Sequence, residues 1–454
     1  MEPERPLSLR DVRRMLEGVV PPAMCTASPD GVPHVNYLSH AEYVDENHVA
    51  LTYQFFNRSR QNVLATRRAA LSIDDPYTGA GMVMQLEYER TETSGPLFER
   101  LRAKLAGIAS HTGMEKVFKL LGADLYKVLE LRRVPGRREL PAALPRCDLA
   151  AGSRALSERL AGCTDLADLL DTTMAGLSEF LRIEHAILWL MDEVRPCMYT
   201  IASRGYESSG IGAELPHGEG LAGIAAREGV PIRIGHMTQS YTYGRAIRGT
   251  AHALGLHTVL EQEVPLPGLE APRSQLAVPL RTKGRVAGVL LVESTHEQFF
   301  SYDDEDALML LCGQLASSLT LLQPKDIEGA ATTAPVSNAP LGDNVVLVRR
   351  FAQDDSIFFD DDYLIKGVAG AILWKLVNEF VLRGRSEFTN RELRLAADLR
   401  LPDVQDNLEV RLLLLQRRLS ERNAPVQIEK TGRGRFRLAV RHPLKLSEVA
   451  KAAG

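Results

Sequence analysis

The sequence predicts a multidomain chain: a small curled β-barrel, an α/β domain, and an α+β domain that ends in helices and a hairpin. Three observations predict it. The chain has 454 residues, enough at roughly 150 residues per domain for about three cores. Two stretches without apolar periodicity interrupt it: 135–154, with three prolines and clustered Arg, and 323–344, rich in Ala, Pro, Thr and Gly. The segments they separate, 1–135, 155–322 and 345–442, have unlike patterns and no internal repeat.

Composition excludes several classes. With 45% hydrophobic and 25% charged residues, and 54 Lys plus Arg against 58 Asp plus Glu, the chain is neither disordered nor uniformly basic. A nucleic-acid partner must therefore belong to one region. The five cysteines, at 25, 147, 163, 197 and 312, are odd in number and lack ligand-like spacing. They are expected to be free thiols in a reducing, cytoplasmic setting. The opening 17 residues are too charged for a secretory core. Residues 307–322 fall short of the about 20 needed to cross a bilayer and contain Gln314, Ser317 and Ser318, so they read as a buried helix and no membrane partner is expected.

In the first segment, apolar runs at 23–27 and 32–37 flank Ser28-Pro29-Asp30-Gly31, a turn between paired strands. Further strands read at 48–53, 70–74, 82–89 and 126–132, and many short strands imply a barrel. Between two of them, Arg58, Ser59 and Arg60 open a helix that carries Val63 and Leu64 inward. Free amides at a helix start beside guanidinium groups can bind phosphate, although such loops are often only solvated turns. His34 and His40 share a strand face and His48 starts the next strand; isolated strand histidines mostly fill polar edges, so no metal site is assigned.

The hairpin Ser28-Pro29-Asp30-Gly31-x-Pro33-His34-Val35, followed by Asn57-Arg58-Ser59-Arg60-Gln61-Asn62 and Ala70-Leu71-Ser72-Ile73, resembles the flavin-binding split barrels related to pyridoxamine 5'-phosphate oxidase. The resemblance implies a split β-barrel, a homodimer, and FMN held at its phosphate by Arg58, Ser59, Arg60 and Asn62. Relatives bind a deazaflavin, haem or no cofactor instead. A flavin carries its own redox chemistry, so no catalytic residue is named.

The second segment alternates helix and strand: a helical pattern over 166–180, strands at 186–190 and 199–202, and a glycine-framed helix after Gly218-Glu219-Gly220. Strands at 276–280 and 286–293 flank Thr282-Lys283-Gly284-Arg285, and a helix over 302–322 begins with acidic residues that suit its positive end. The glycines lack a dinucleotide fingerprint. With Gly218-Glu219-Gly220-Leu221-Ala222-Gly223 and Ala277-Val278-Pro279-Leu280 before Gly288-Val289-Leu290, the segment resembles a GAF domain. That implies a small-molecule sensor of unknown ligand, with 235–269 as a pocket wall carrying His236, Tyr241, Tyr243, His252 and His257. Cyclic nucleotide is not the preferred ligand, because the signature of such relatives is not intact around Glu293, Phe300 and Asp304-Glu305.

The last segment begins with strands at 345–350 and 356–359 and a helix from about Val368. Thr389-Asn390-Arg391-Glu392 is a capping box that starts a short helix. Leu408, Leu412, Leu415 and Leu419 share one face of a longer helix, leaving Asn407, Arg411, Gln416, Arg418 and Arg422 on more exposed sides. Strands at 426–430 and 435–440 join through Thr431-Gly432-Arg433-Gly434. This order suggests a winged helix whose third helix enters a DNA groove. Between Lys375 and Arg441 there are 15 Lys or Arg against 9 Asp or Glu, a formal +6. Residues 344–441 resemble the winged-helix output domain of response regulators through Leu412-Leu413-Leu414-Leu415-Gln416-Arg417-Arg418-Leu419 and the 429–438 hairpin. By position, Asn407, Arg411 and Arg418 would approach the groove, and Lys430, Arg433 and Arg435 the phosphates. Asp403, Asp406 and Glu409 leave protein binding open.

Together these readings describe a dimeric, ligand- or redox-responsive transcriptional regulator with double-stranded DNA and an unknown small molecule as partners. The alternatives are a flavin-dependent oxidoreductase with regulatory domains, and an interaction module.

Overall fold

The computed structural model describes residues 7–16, 21–38, 41–53, 58–75, 78–112, 120–135, 146–192, 195–235, 264, 266–322, 344–396, 399, 408–432 and 434–449. The first region is a seven-stranded antiparallel sheet in the order β2-β1-β5-β6-β7-β4-β3. Its strands are β1 (Ala23–Ala27), β2 (Pro33–Tyr37), β3 (Ala41–Tyr43), β4 (His48–Tyr53), β5 (Arg68–Asp74), β6 (Gly81–Glu92) and β7 (Gly122–Arg133). Gly31, at a φ of +83°, closes the predicted first turn by donating its N–H to the Ser28 carbonyl. Register shifts near Leu86 and Arg90 break the β6–β7 ladder, and such bulges increase local twist. Helix α1 (Leu9–Val12) buries Leu9 and Val12, and α2 (Arg58–Thr66) buries Val63, but Leu64, expected inside, is 46% exposed. A helix absent from the sequence expectations, α3 (Pro96–Thr112), packs on this sheet through Phe98 and Leu101 against Ala50 and Ala123, and also on the next domain.

The second domain starts within the predicted linker. Asp148 caps α4 (Leu149–Ala161), so the break between domains ends before that helix. Its six-stranded antiparallel sheet runs β10-β9-β8-β13-β12-β11, with β8 (His185–Met191), β9 (Cys197–Arg204), β10 (Glu214–Pro216), β11 (Ile232–Ile234), β12 (Ser274–Thr282) and β13 (Arg285–Ser294). One face packs on α4, α5 (Leu166–Leu181) and α7 (Tyr302–Leu321) through Leu188, Leu276, Leu290, Leu169 and Leu311. The other packs on α6 (Gly220–Glu228) through Ile187, Val289 and Leu291, and Ala103 of α3 is buried in that same cluster. Arg102 bridges to Glu228 at 2.6 Å, and Arg13 pairs with Asp303, so charged contacts also join the two domains.

The third region has a four-stranded sheet, β16-β15-β14-β20. It comprises β14 (Val346–Phe351), β15 (Ser356–Phe359), β16 (Asp362–Ile365) and β20 (Leu444–Val449), which runs parallel to β14 and extends the domain past the predicted 442 boundary. Then follow α8 (Gly367–Arg383), β17 (Glu387–Thr389), α9 (Asn390–Arg394), α10 (Leu408–Glu421), β18 (Val426–Gly432) and β19 (Arg435–Val440), with a second sheet ordered β17-β19-β18. A single apolar cluster continues from Leu169 and Leu311 through Leu376, Leu415 and Leu438. The second and third regions therefore share one core. Among the described residues no helix is long and apolar enough to cross a membrane.

Candidate functional site

The proposed phosphate residues lie at the start of α2, which packs on β1 and β2. Arg60 sits over Tyr53, 3.8 Å from its ring centroid, and donates to both Asp124 oxygens at 2.6 and 2.5 Å and to Thr91 Oγ1 at 3.2 Å. Thr91 donates to Asp124 at 2.5 Å and meets the Tyr88 hydroxyl at 2.7 Å. A Cβ on Gly122 would lie 2.4 Å from Tyr53, so glycine there lets the ring close under the guanidinium. Ser59 donates to Asn36 Oδ1 at 2.7 Å, and Asn62 donates to Thr26 Oγ1 at 3.1 Å; both are buried. Arg58 is exposed. Three of the four, Ser59, Arg60 and Asn62, are thus engaged by partners within the chain. The buried Asp124 already occupies the cation, and a second anion there would face a carboxylate at low dielectric.

On the α6 face of the second domain, the apolar floor ends in a polar cluster. Glu293 is 3% exposed and accepts from Tyr206 Oη and the Leu269 amide, each at 2.9 Å, and from Gln275 Nε2 at 2.5 Å. Burial, and then the neighbouring carboxylate, raise the Tyr206 phenol, so it stays a donor. Trp189 Nε1 is buried on the same face without an acceptor among the described residues. Burial pushes the Cys197 thiol up to about 11 and raises Cys312 further, so neither is an activated nucleophile. Residues 236–263, including His236, Tyr241, Tyr243, His252 and His257, lie outside the described residues.

The most extensive polar contact between regions surrounds α10. Arg411 is 4% exposed; it lies 4.2 Å from the centroid of Tyr199 and pairs with Asp192 at 3.1 Å. Asp192 also accepts from Arg195 at 2.9 Å, and Arg195 reaches Glu214 at 2.7 Å, which Lys366 approaches at 3.4 Å. Arg417 donates to the Ile201 carbonyl at 3.0 Å and to Asp171 at 2.6 Å, and Ser209 donates to Glu421 at 2.5 Å. Val410, Leu412, Leu414 and Leu415 are buried between these charged positions, so packing covers more than one face of the helix.

The model of the GAF domain family matches residues 163–320. Those residues are a GAF domain. The GAF domain of an Acinetobacter phosphoenolpyruvate-protein phosphotransferase is similar at 25% identity over 37% of this chain and 90% of that one, with a TM-score of 0.29. On the N-terminal part, an FMN-binding protein from Syntrophomonas wolfei is similar at 14% identity over 28% and 90%, with a TM-score of 0.24. HupZ of Group A Streptococcus is similar at 13% identity over 30% and 100%, also with a TM-score of 0.24. No curated protein matches the chain.

The residues expected to meet DNA separate into three groups. Arg411 and Arg418 are not on an exposed face: Arg411 is buried against the GAF domain, and Arg418, 4% exposed, donates to the Leu364 carbonyl at 2.9 Å and pairs with Glu421. Leucine spacing gave the packing stripe correctly, but the remaining faces are covered by a neighbour that periodicity does not encode. Lys430 and Arg435 are exposed on the hairpin. Asn407 and Arg433 lie outside the described residues, as does His40. Among the described residues, no group of three or more His, Cys, Asp or Glu is arranged to hold a metal. Sequence reading missed Asp124, Asp171 and Asp192, the acids that engage Arg60, Arg417 and Arg411; each belongs to a distant element and carries no local signature.

Proposed function

We propose that the chain is a small-molecule-responsive regulatory protein in which the GAF domain is the sensor and the C-terminal unit the effector. The order α8-β17-α9-α10-β18-β19, with sheet order β17-β19-β18, supports reading that unit as a winged helix. The single observation that carries the proposal is the continuous core across the two, closed by Arg411 on Asp192 and Tyr199. A change in the GAF sheet at β8 or β9 reaches α10 directly through these contacts. On this reading the third helix is a packing element, and the unit signals through protein contacts instead of reading a DNA groove. A second reading, DNA binding through the hairpin, is favoured by exposed Lys430 and Arg435 and the local positive charge. A homodimer is supported by the barrel edge, where Val35 and Tyr37 are 59% and 76% exposed on one face of β2.

Unbiased DNA selection with the intact protein tests the proposal, with bound small molecules recorded by native mass spectrometry. The expected result is no enriched sequence at moderate ionic strength. An enriched motif whose affinity falls on Lys430→Gln and Arg435→Gln would replace the packing reading with the hairpin reading.

A further inference from the structure

A cleft of about 560 Å³ opens between the GAF domain and the C-terminal unit. One wall is the first turn of α5 with Leu166 and Ala167; the other is α10 with Leu412 and Leu413, and the hairpin with Lys430 and Arg435. Its size suits a small organic molecule. The lining combines three chemistries.

An apolar wall comes from the α10 leucines and Phe436, whose ring stacks on Phe388 at 5.9 Å. Positive charge comes from Lys430 and Arg435, and the amino end of α5, which borders the cleft, carries the same polarity. Negative charge comes from Asp165, 3.8 Å from Lys430, and from Glu409 on α10. Asn390 also lines the cleft; the residue is 5% exposed and its backbone N–H bonds to the Gly434 carbonyl, so its side-chain amide is a neutral polar group of the lining.

We propose that this cleft binds an apolar α-amino acid. Lys430 and Arg435 receive its carboxylate, Asp165 its ammonium, and Asn390 contributes one donor and one acceptor between them. The side chain lies against Leu412, Leu413 and Phe436. An anion alone would leave Asp165 opposed and a cation alone would leave the hairpin opposed, so the zwitterion is the class that matches both signs. Because the walls belong to two regions, the occupied cleft ties them together. The proposal does not depend on what the GAF pocket itself binds.

The test is calorimetric titration of the full-length protein with L-phenylalanine, phenethylamine, which lacks the carboxylate, and 3-phenylpropionate, which lacks the ammonium. L-Phenylalanine is expected to bind at least about tenfold more tightly than either, since each loses a charge-assisted contact. The double variant Lys430→Gln/Arg435→Gln should erase the preference over phenethylamine. Asp165→Asn, which keeps a good helix cap, should erase the preference over 3-phenylpropionate. Leu413→Trp should fill the cleft and abolish binding, and thermal unfolding of these variants shows that each is folded. No binding of L-phenylalanine at millimolar concentration, equal affinity for all three compounds, or binding that survives Leu413→Trp would overturn the proposal.

Discussion

Arg60 shows how one side chain can fit a motif and also be engaged inside the fold. Its charge is neutralised by Asp124, its ring-facing side is covered by Tyr53, and its remaining donor reaches Thr91. An ion pair this buried costs about 3–5 kcal/mol when one partner is removed, so a phosphate would have to displace a strong internal anion. FMN titration followed at 450 nm should therefore leave the wild-type protein unbound, whereas Asp124→Asn should gain affinity for FMN or inorganic phosphate. Wild-type protein that binds FMN and loses it on Arg60→Ala would refute this account. The Arg-Ser-Arg stretch was legible as a cluster of donors, but its acid partner lies 64 positions away on β7. Nothing in the spacing of residues 57–62 could reveal that partner.

At the scale of the element, the capping box at Thr389 was legible in full, because a cap depends only on residues three apart. The Glu392 amide donates to Thr389 Oγ1 at 3.2 Å, and Glu392 accepts from the Thr389 amide at 3.2 Å and from Arg385 at 2.6 Å. Burial alone would raise the Glu392 carboxyl, but the bonds from Arg385 and Thr389 lower it below its ordinary 4.5. A lowered folded-state pKa adds stability above the unfolded value that is lost as pH falls through the folded one. Thr389→Ala should cost about 1 kcal/mol in denaturant melts near neutral pH, and the difference from wild type should shrink below pH ~4. A difference that is independent of acid pH would remove Glu392 from the cap. Helix α10 was legible in its position and leucine stripe; its burial was not, because the covering surface comes from Asp192 just after β8, from β9 and from α5.

Over the whole molecule, the shared apolar cluster makes the GAF domain and the C-terminal unit one cooperative body. Scanning calorimetry should show residues 146–449 unfolding in a single transition. Arg417→Glu places a carboxylate against Asp171, so it should lower that transition by several degrees, in line with a loss of about 1–2 kcal/mol. Separate transitions for the two regions in the wild-type protein would contradict the common core. The barrel contributes differently: Ala103 is buried beside α6 while Arg102 and Arg13 make ion pairs at its edge, so it packs against the sensor's second face.

Turns, caps and strand alternation depend on neighbours within a few residues, and these could be read along the chain: the Gly31 turn, the Thr389 cap, the leucine stripe of α10 and the GAF pattern all stand where residue order puts them. The fates of the arginines were settled by folding. A guanidinium is a DNA contact, a phosphate ligand or an interior ion pair according to which carboxylate the fold brings within about 3 Å of it. For Arg60, Arg411 and Arg417 that carboxylate comes from an element far away in the chain.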